Sequence, residues 1–195
     1  MREVQPGVWH WKAPHPAWRP GENWDEMVSS YAIDDGDRLL LFDPLALPRE
    51  LEELAASRET AIVLTTPWHQ RDARQLAELL GVPIYVPPPD EGETDPVPGT
   101  VFRAGDRLPV GVEALPGMEA NDLVLWVAMR GALVAGDTLI DRDRGIEFPS
   151  DWANRGVSAE DVLAGLQPLL SLPVEVVLVT HGEPGGRGDL ERALS

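Results

Sequence analysis

Residues 62–72 read IVLTTPWHQRD, and they change from apolar to polar after Leu64. The aliphatic and β-branched first part predicts a buried strand. The second part contains His69 and Asp72. From Gln70 to Leu80 the apolar residues recur with the period of a helix. A strand end followed by polar side chains is a frequent place for function, because the strand gives those side chains a rigid base.

Two later stretches have the same design. Residues 133–138 read LVAGDT, and residues 177–182 read VLVTHG. We expect the three strand ends to converge. The metal-ligating side chains that would then meet are His69, Asp137, His181 and, in the first turn of the helix, Asp72. Two imidazoles and one or two carboxylates are a ligand set for zinc, manganese or iron.

Composition narrows the class of protein. The chain has 195 residues, a formal net charge of −17, 43% hydrophobic residues and no cysteine. These values exclude a disordered or fibrous chain and a thiolate metal site. So acidic a chain is repelled by phosphate backbones, and we expect no nucleic-acid partner. Without a bilayer-length apolar run or a secretory signal, we expect a cytoplasmic protein with no membrane contact.

The pattern of elements predicts one domain over residues 1–195. Strand and helix signals are mixed in both halves, which favours two sheets covered by helices. The predicted helices are 48–58, 70–80, 158–170 and 189–194. Residues 137–156 and the proline-rich residues 87–98 are predicted surface loops.

Residues 1–27 have a different composition, with four of the seven tryptophans and four prolines. Because proline excludes a long helix, we expect a strand followed by an extended N-terminal arm. Two interpretations of this arm stay open. In the first, it is a hydrophobic strap that covers the sandwich or the partner subunit of a homodimer. In the second, it is a lid in which Trp9, Trp11 and Trp18 line a ligand pocket, with His10 or His15 at its mouth.

Five short landmarks occur in a characteristic order. They are FDP at 42–44, LT at 64–65, LPG at 115–117, GDT at 136–138 and THG at 180–182. In order and spacing, over about residues 28–185, the chain resembles the metallo-β-lactamase-fold superfamily. The resemblance implies a four-layer αββα sandwich and metal-dependent hydrolysis of an ester, thioester, lactam or phosphoester. It also implies that Asp137 and His69 are catalytic.

The family's H-x-H-x-D-H metal motif is degenerate in this chain. Aligned without a gap, its ligand positions fall on Thr66, Trp68, Gln70 and Arg71. None of these is a good metal ligand. Shifted by one residue, the motif places His69 at the second histidine and Asp72 at the last, and Met118 replaces the histidine that follows Pro-Gly. We therefore expect at most one metal ion and no dinuclear centre.

Two interpretations of the pocket remain. In the first, the two imidazoles and two carboxylates named above hold one zinc, manganese or iron ion, and the protein hydrolyses a small ester, thioester or phosphoester. In the second, the protein is a metal-free, non-catalytic binding protein in which the Arg71 guanidinium pairs with Asp137 where the metal would lie. In both, Trp68 lines a pocket for a small molecule.

Overall fold

The computed structural model describes residues 1–152 and 158–195. Its first sheet has seven strands, arranged in the order in which they occur along the chain. They are β1 (Arg2–Gln5), β2 (Val8–Pro14), β3 (Met27–Asp34), β4 (Arg38–Phe42), β5 (Glu59–Val63), β6 (Ile84–Val86) and β7 (Thr100–Val101). Neighbours from β1 to β4 are antiparallel, and neighbours from β4 to β7 are parallel.

The second sheet begins with β8 (Arg107–Leu108), β9 (Val112–Glu119), β10 (Asp122–Val127) and β11 (Ala132–Gly136). The chain then forms a separate two-stranded hairpin of β12 (Ile140–Asp141) and β13 (Ile146–Glu147). The prediction of an irregular loop over 137–156 was therefore wrong for this part, and residues 153–156 lie outside the described residues. Strands β14 (Val176–Val179) and β15 (Gly185–Gly186) complete the second sheet, in which β14 runs parallel to β11.

Helices cover the outer face of each sheet. Helices α1 (Arg49–Ala55) and α2 (Ala73–Leu80) pack on the first sheet, and α3 (Ala159–Leu166) and α4 (Arg187–Ala193) pack on the second. Buried side chains of both sheets form the central core, including Ile33, Leu40, Val63, Ala114, Leu125 and Val134. The four-layer αββα sandwich is thus confirmed. None of the helices in the described residues has the length and apolar content needed to cross a membrane.

A capping hydrogen bond and a backbone reversal determine where two of the helices begin. Helix α3 begins as predicted, because the Ser158 hydroxyl accepts the backbone N–H of Asp161 at 3.1 Å. Helix α2 begins at Ala73 rather than at Gln70. Residues Pro67–His69 form a 3₁₀ turn, and Arg71 then takes a left-handed backbone conformation with φ of 37°. That reversal prevents a continuous helix from Gln70.

The N-terminal residues form a β-hairpin, β1–β2, at the edge of the first sheet. Side chains alternate between the two faces of a strand, so Trp9 and Trp11 share one face of β2. Both pack into the core under α1 and α2, where Trp11 is buried and its Nε1 donates to the Leu45 carbonyl at 2.8 Å. Neither tryptophan lines the cavity beside His69, Asp137 and His181, so the prediction that they line a ligand pocket was wrong for that pocket.

Gly117 allows strand β9 to pass close to its neighbours. A Cβ at this position would lie 2.1 Å from the Asp122 carbonyl oxygen and 2.5 Å from the Thr138 hydroxyl. We expect Gly117→Ala to lower the free energy of unfolding by about 2–4 kcal/mol. Gly165→Ala is the matched control, because a Cβ at Gly165 in α3 would meet nothing within 4 Å and should raise stability by about 0.5–1 kcal/mol. Urea unfolding measures both, and equal stabilities of the two variants would contradict this packing.

Candidate metal centre

The carboxyl ends of four strands meet at one edge of the sandwich. Asp43 follows β4, Asp137 follows β11, and His181 follows β14 after one residue. Thr65 lies just beyond β5, and the 3₁₀ turn after it carries His69. The strands themselves are almost wholly buried, so these polar side chains stand on a rigid apolar base.

Three of the four predicted ligands come together here. The Nε2 atom of His69 lies 3.3 Å from Oδ1 of Asp137, and the Nε2 atom of His181 lies 3.5 Å from the same oxygen. One ligand atom from each of the three residues lies within 4.8 Å of the others. All three residues are buried, which keeps water from competing strongly for these atoms.

The donor set fits a small transition-metal ion. Imidazole nitrogen and carboxylate oxygen bind zinc at about 2.0–2.1 Å, so two ligands of a tetrahedral ion are about 3.3–3.4 Å apart. The two distances to the Asp137 carboxylate, 3.3 and 3.5 Å, match that spacing. Moreover, Oδ1 of Asp137 is buried and accepts no hydrogen bond from the described residues. A buried anionic oxygen of this kind calls for a cation.

A second set of contacts orients His69. Its Nδ1 lies 3.1 Å from Oδ2 of Asp43, and the Thr65 hydroxyl donates to the same oxygen at 2.6 Å. Oδ1 of Asp43 accepts the Thr65 backbone N–H at 2.9 Å. When His69 is neutral and its Nδ1–H donates to Asp43, the lone pair of Nε2 faces Asp137 and His181. Carboxylates that hold a metal-ligating histidine in this way are typical of metal centres.

Comparison with solved structures supports the architecture. No protein-family model and no curated protein sequence matches the chain. The structure of TTHA1623 in a di-iron-bound form is 26% identical, with a TM-score of 0.64 over 85% of this chain and 93% of that one. The DIM-1 metallo-β-lactamase exposed to ceftazidime is 16% identical, with a TM-score of 0.68 over 99% and 93% of the two chains. The chain is a metallo-β-lactamase-fold protein.

A third solved structure extends the likeness within the metallo-β-lactamase fold. The metallo-β-lactamase family protein TTHA1429 from Thermus thermophilus is 19% identical, with a TM-score of 0.67. The match covers 98% of this chain and 78% of that one. Almost the whole chain therefore belongs to the shared fold, including the N-terminal hairpin.

The site of this metallo-β-lactamase-fold protein has an uneven distribution of charge. Burial lowers the pKa of His69, but Asp137 and Asp43 on its two sides raise that pKa to about 9. Burial lowers the pKa of His181 to about 4, although Asp137 opposes the shift. Burial acts to raise the pKa of Asp137, yet His69 and His181 hold it well below its ordinary value. Without metal, His69 is the imidazolium of the site and His181 is neutral.

Two predicted participants have other contacts. Oδ2 of Asp72 accepts the backbone N–H of Ala46 at 2.7 Å, and Asp72 lies outside the group of convergent ligands. The Arg71 guanidinium donates to the carbonyls of Ser29 and Asp43 at 2.8 and 2.6 Å. Among the ion pairs of the described residues, none joins Arg71 to Asp137. The prediction that Arg71 pairs with Asp137 was therefore wrong, because its left-handed backbone directs the side chain to β3 and β4.

A cavity of about 380 Å³ opens onto the convergent ligands. Trp68 lines it as predicted, and its Nε1 donates to Oδ2 of Asp137 at 3.0 Å. Two tryptophans that sequence reasoning missed complete the aromatic walls. The rings of Trp24 and Trp152 both lie edge-on to His181, with centroids 5.6 and 5.3 Å away. Trp24 belongs to the predicted arm and Trp152 to the predicted loop, so composition pointed to both segments but not to these side chains.

Proposed function

We propose that this protein is a hydrolase that holds one metal ion on His69, Asp137 and His181. The observation that carries the proposal is the convergence of two Nε2 atoms on one carboxylate oxygen of the buried Asp137, at the spacing of tetrahedral ligands. The di-iron-bound form of TTHA1623, which shares the fold, supports metal binding by this protein. Zinc, manganese and iron all suit the donor set. The substrate is a small ester, thioester or phosphoester.

A metal ion bound here would polarise the substrate's carbonyl or phosphoryl oxygen and lower the pKa of a coordinated water to about 7. In the reaction, the acyl or phosphoryl group gains the water oxygen, its bond to the leaving oxygen or sulfur breaks, and the leaving atom takes a proton.

The chain's own residues position this chemistry. Asp43 fixes the ring of His69, and Trp68 holds Oδ2 of Asp137 so that Oδ1 faces the two histidines. Oδ2 retains a lone pair that can accept a hydrogen bond from a water in the cavity. Asp137 therefore serves as a ligand and as the group that orients the attacking water, while the tryptophans keep bulk water out.

One observation favours a second function, a metal-free binding protein. His69 lies between the Asp43 and Asp137 carboxylates, and its pKa of about 9 keeps it protonated at neutral pH. An imidazolium in that position supplies the cation that Asp137 requires. In this alternative the aromatic cavity binds a small molecule without hydrolysing it.

Hydrolysis assays on reconstituted protein separate the two functions. Protein would be loaded in turn with zinc, manganese and iron, passed over a desalting column, and assayed with 4-nitrophenyl butyrate, a thioester and bis(4-nitrophenyl) phosphate. The hydrolase predicts turnover of at least one substrate that disappears with chelator and returns with metal. Absence of turnover with all three metals would favour the metal-free alternative, whereas turnover that is insensitive to chelator would contradict both functions.

The affinity for metal is expected to rise with pH. His69 must lose its proton before Nε2 can bind a metal, and the pKa of His69 in the metal-free protein is about 9. Apparent zinc affinity should therefore increase about tenfold per unit between about pH 6.5 and 8.5. His181 does not contribute to this pH dependence, because its pKa is about 4 and it is already neutral in that range. Competition with a chromophoric chelator measures this slope, and an affinity that is flat after correction for the chelator would contradict the assignment.

A further inference from the structure

Arg71 brings a positive charge to the wall of the cavity. Each of its hydrogen bonds to the described residues uses Nη1, which donates to the Ser29 carbonyl, the Asp43 carbonyl and the Ser30 hydroxyl at 2.8, 2.6 and 3.2 Å. These acceptors are all neutral oxygens. The ion pairs found among the described residues involve other cationic side chains, including Arg38, and none involves Arg71. The guanidinium is therefore held in place without a carboxylate partner.

Two further features of Arg71 carry an energetic cost. Its Nε is buried and has no hydrogen-bond partner among the described residues. A guanidinium cannot escape this cost by losing its proton, because it stays charged throughout the physiological pH range. The residue also holds a left-handed backbone with φ of 37°, which long side chains rarely adopt. Strain of this kind is often found at functional sites.

The Asp43 and Asp137 carboxylates favour the charged form of Arg71, but the described lining of the cavity holds few negative groups. Asp137 is the one carboxylate among the described lining residues, and it faces His69 and His181. With a divalent ion bound, the lining carries a net positive charge. The chain as a whole carries −17, so a preference for anions cannot arise from its overall field.

We propose that Arg71 binds an oxyanionic group of the substrate, a carboxylate or a phosphate. This inference rests on the proposed hydrolase and names its substrate class: an ester or thioester with an apolar body and an anionic end. Trp24, Trp68 and Trp152 contact the apolar body, and the bond to be cleaved lies at the three metal ligands. Nη2 of Arg71 makes none of the hydrogen bonds that hold the guanidinium, so its N–H groups can donate to an oxygen of such a group.

Binding to the metal-free protein tests this assignment without involving the metal. Tryptophan fluorescence would be titrated with 4-phenylbutyrate, with its neutral analogue 4-phenylbutyramide, and with phenyl phosphate. Wild-type protein should bind at least one anion at least about tenfold more tightly than the amide, which corresponds to about 1.4 kcal/mol. The stronger of the two anions identifies the source of the charge. Equal affinity for all three probes would overturn the proposal.

Substitutions then assign the preference to Arg71. Arg71→Gln should reduce the ratio of anion to amide affinity to about one, and Arg71→Lys should retain part of it, since a lysine keeps the charge but not the position of the guanidinium donors. Arg74→Gln is the matched control. Arg74 donates to the Asp95 and Pro96 carbonyls, away from the residues that line the cavity, and its variant should keep the wild-type ratio.

Two results would overturn the assignment to Arg71. The first is a wild-type ratio of anion to amide affinity in folded Arg71→Gln. If Arg71→Gln does not fold, the second result is an Arg71→Lys variant that keeps both the wild-type ratio of anion to amide affinity and the wild-type melting temperature.

The outcome is separable from that of the proposed function. If wild-type protein binds one zinc ion and hydrolyses 4-nitrophenyl butyrate but does not prefer the anionic probes, the role of Arg71 fails alone. If it prefers them but binds no metal, the hydrolase fails and the anion site stands as part of a binding protein.

Discussion

Asp137→Asn is expected to weaken zinc binding at least about 100-fold and to abolish metal-dependent hydrolysis. The substitution keeps the shape of the side chain but removes the charge of the oxygen on which the two histidines converge. Loss of a group that only hydrogen-bonds to a metal ligand lowers metal affinity about 10–100-fold. Loss of a direct ligand should therefore lower it at least as much. Chelator competition gives the affinity, and the ester assay gives the activity.

Asp72→Asn is the informative control for this experiment. The sequence places Asp72 in the ligand set, whereas the structure places its carboxylate on the backbone N–H of Ala46. An asparagine oxygen can accept the same hydrogen bond, so stability and zinc affinity should stay close to wild type. Stoichiometric zinc in Asp137→Asn, or its loss in Asp72→Asn, would show that the ligands are assigned wrongly.

Asp43 is expected to matter for stability and for the metal. Its carboxylate is 3% exposed and accepts hydrogen bonds from the Thr65 backbone and hydroxyl as well as from His69. Asp43→Ala leaves these buried donors without partners and should lower the free energy of unfolding by about 3–5 kcal/mol. Urea unfolding of the metal-free protein measures this effect.

Asp43→Asn separates the role of Asp43 in orienting His69 from its role in satisfying buried hydrogen-bond donors. Its amide N–H₂ would face Nδ1 of His69, which favours the tautomer with the proton on Nε2, the atom that should bind metal. Zinc affinity should fall about 10–100-fold while the loss of stability is smaller than in Asp43→Ala. Asp95→Asn, at an exposed position in the loop after β6, is the control. Unchanged zinc affinity in Asp43→Asn would refute the orienting role.

The central part of the site could be predicted because it depends on local pattern. Asp137 and His181 each follow a short aliphatic strand, and the strands that bear them are parallel neighbours. His69 follows a third such strand in the first sheet. A polar residue at the end of a buried strand is visible in the sequence, and the fold brings such ends together.

The rest of the site depends on features that the sequence does not display. The left-handed turn at Arg71 is set by tertiary contacts, and it decides that Arg71 and Asp72 point away from Asp137. The role of Asp43 requires the pairing of β4 with β5, which places it beside Thr65.

The aromatic residues show the same limit. Trp24 and Trp152 line the same cavity but belong to segments far apart in the chain, so no local pattern connects them. For Trp9 and Trp11, by contrast, apolar Trp9, Trp11 and Ala13 alternate with His10 and Lys12 along the sequence of β2, which indicates one apolar face. That period, rather than the composition of the arm, predicts that both tryptophans lie in the core.

The most direct test is the metal content of the purified protein. Elemental mass spectrometry would be performed after incubation with zinc, manganese or iron and removal of free metal, with His181→Ala and Asp137→Asn measured in parallel. The proposed centre predicts about one metal ion per wild-type chain and none in either variant. A wild-type chain that retains no metal under any of these conditions, or variants that retain as much as wild type, would contradict it.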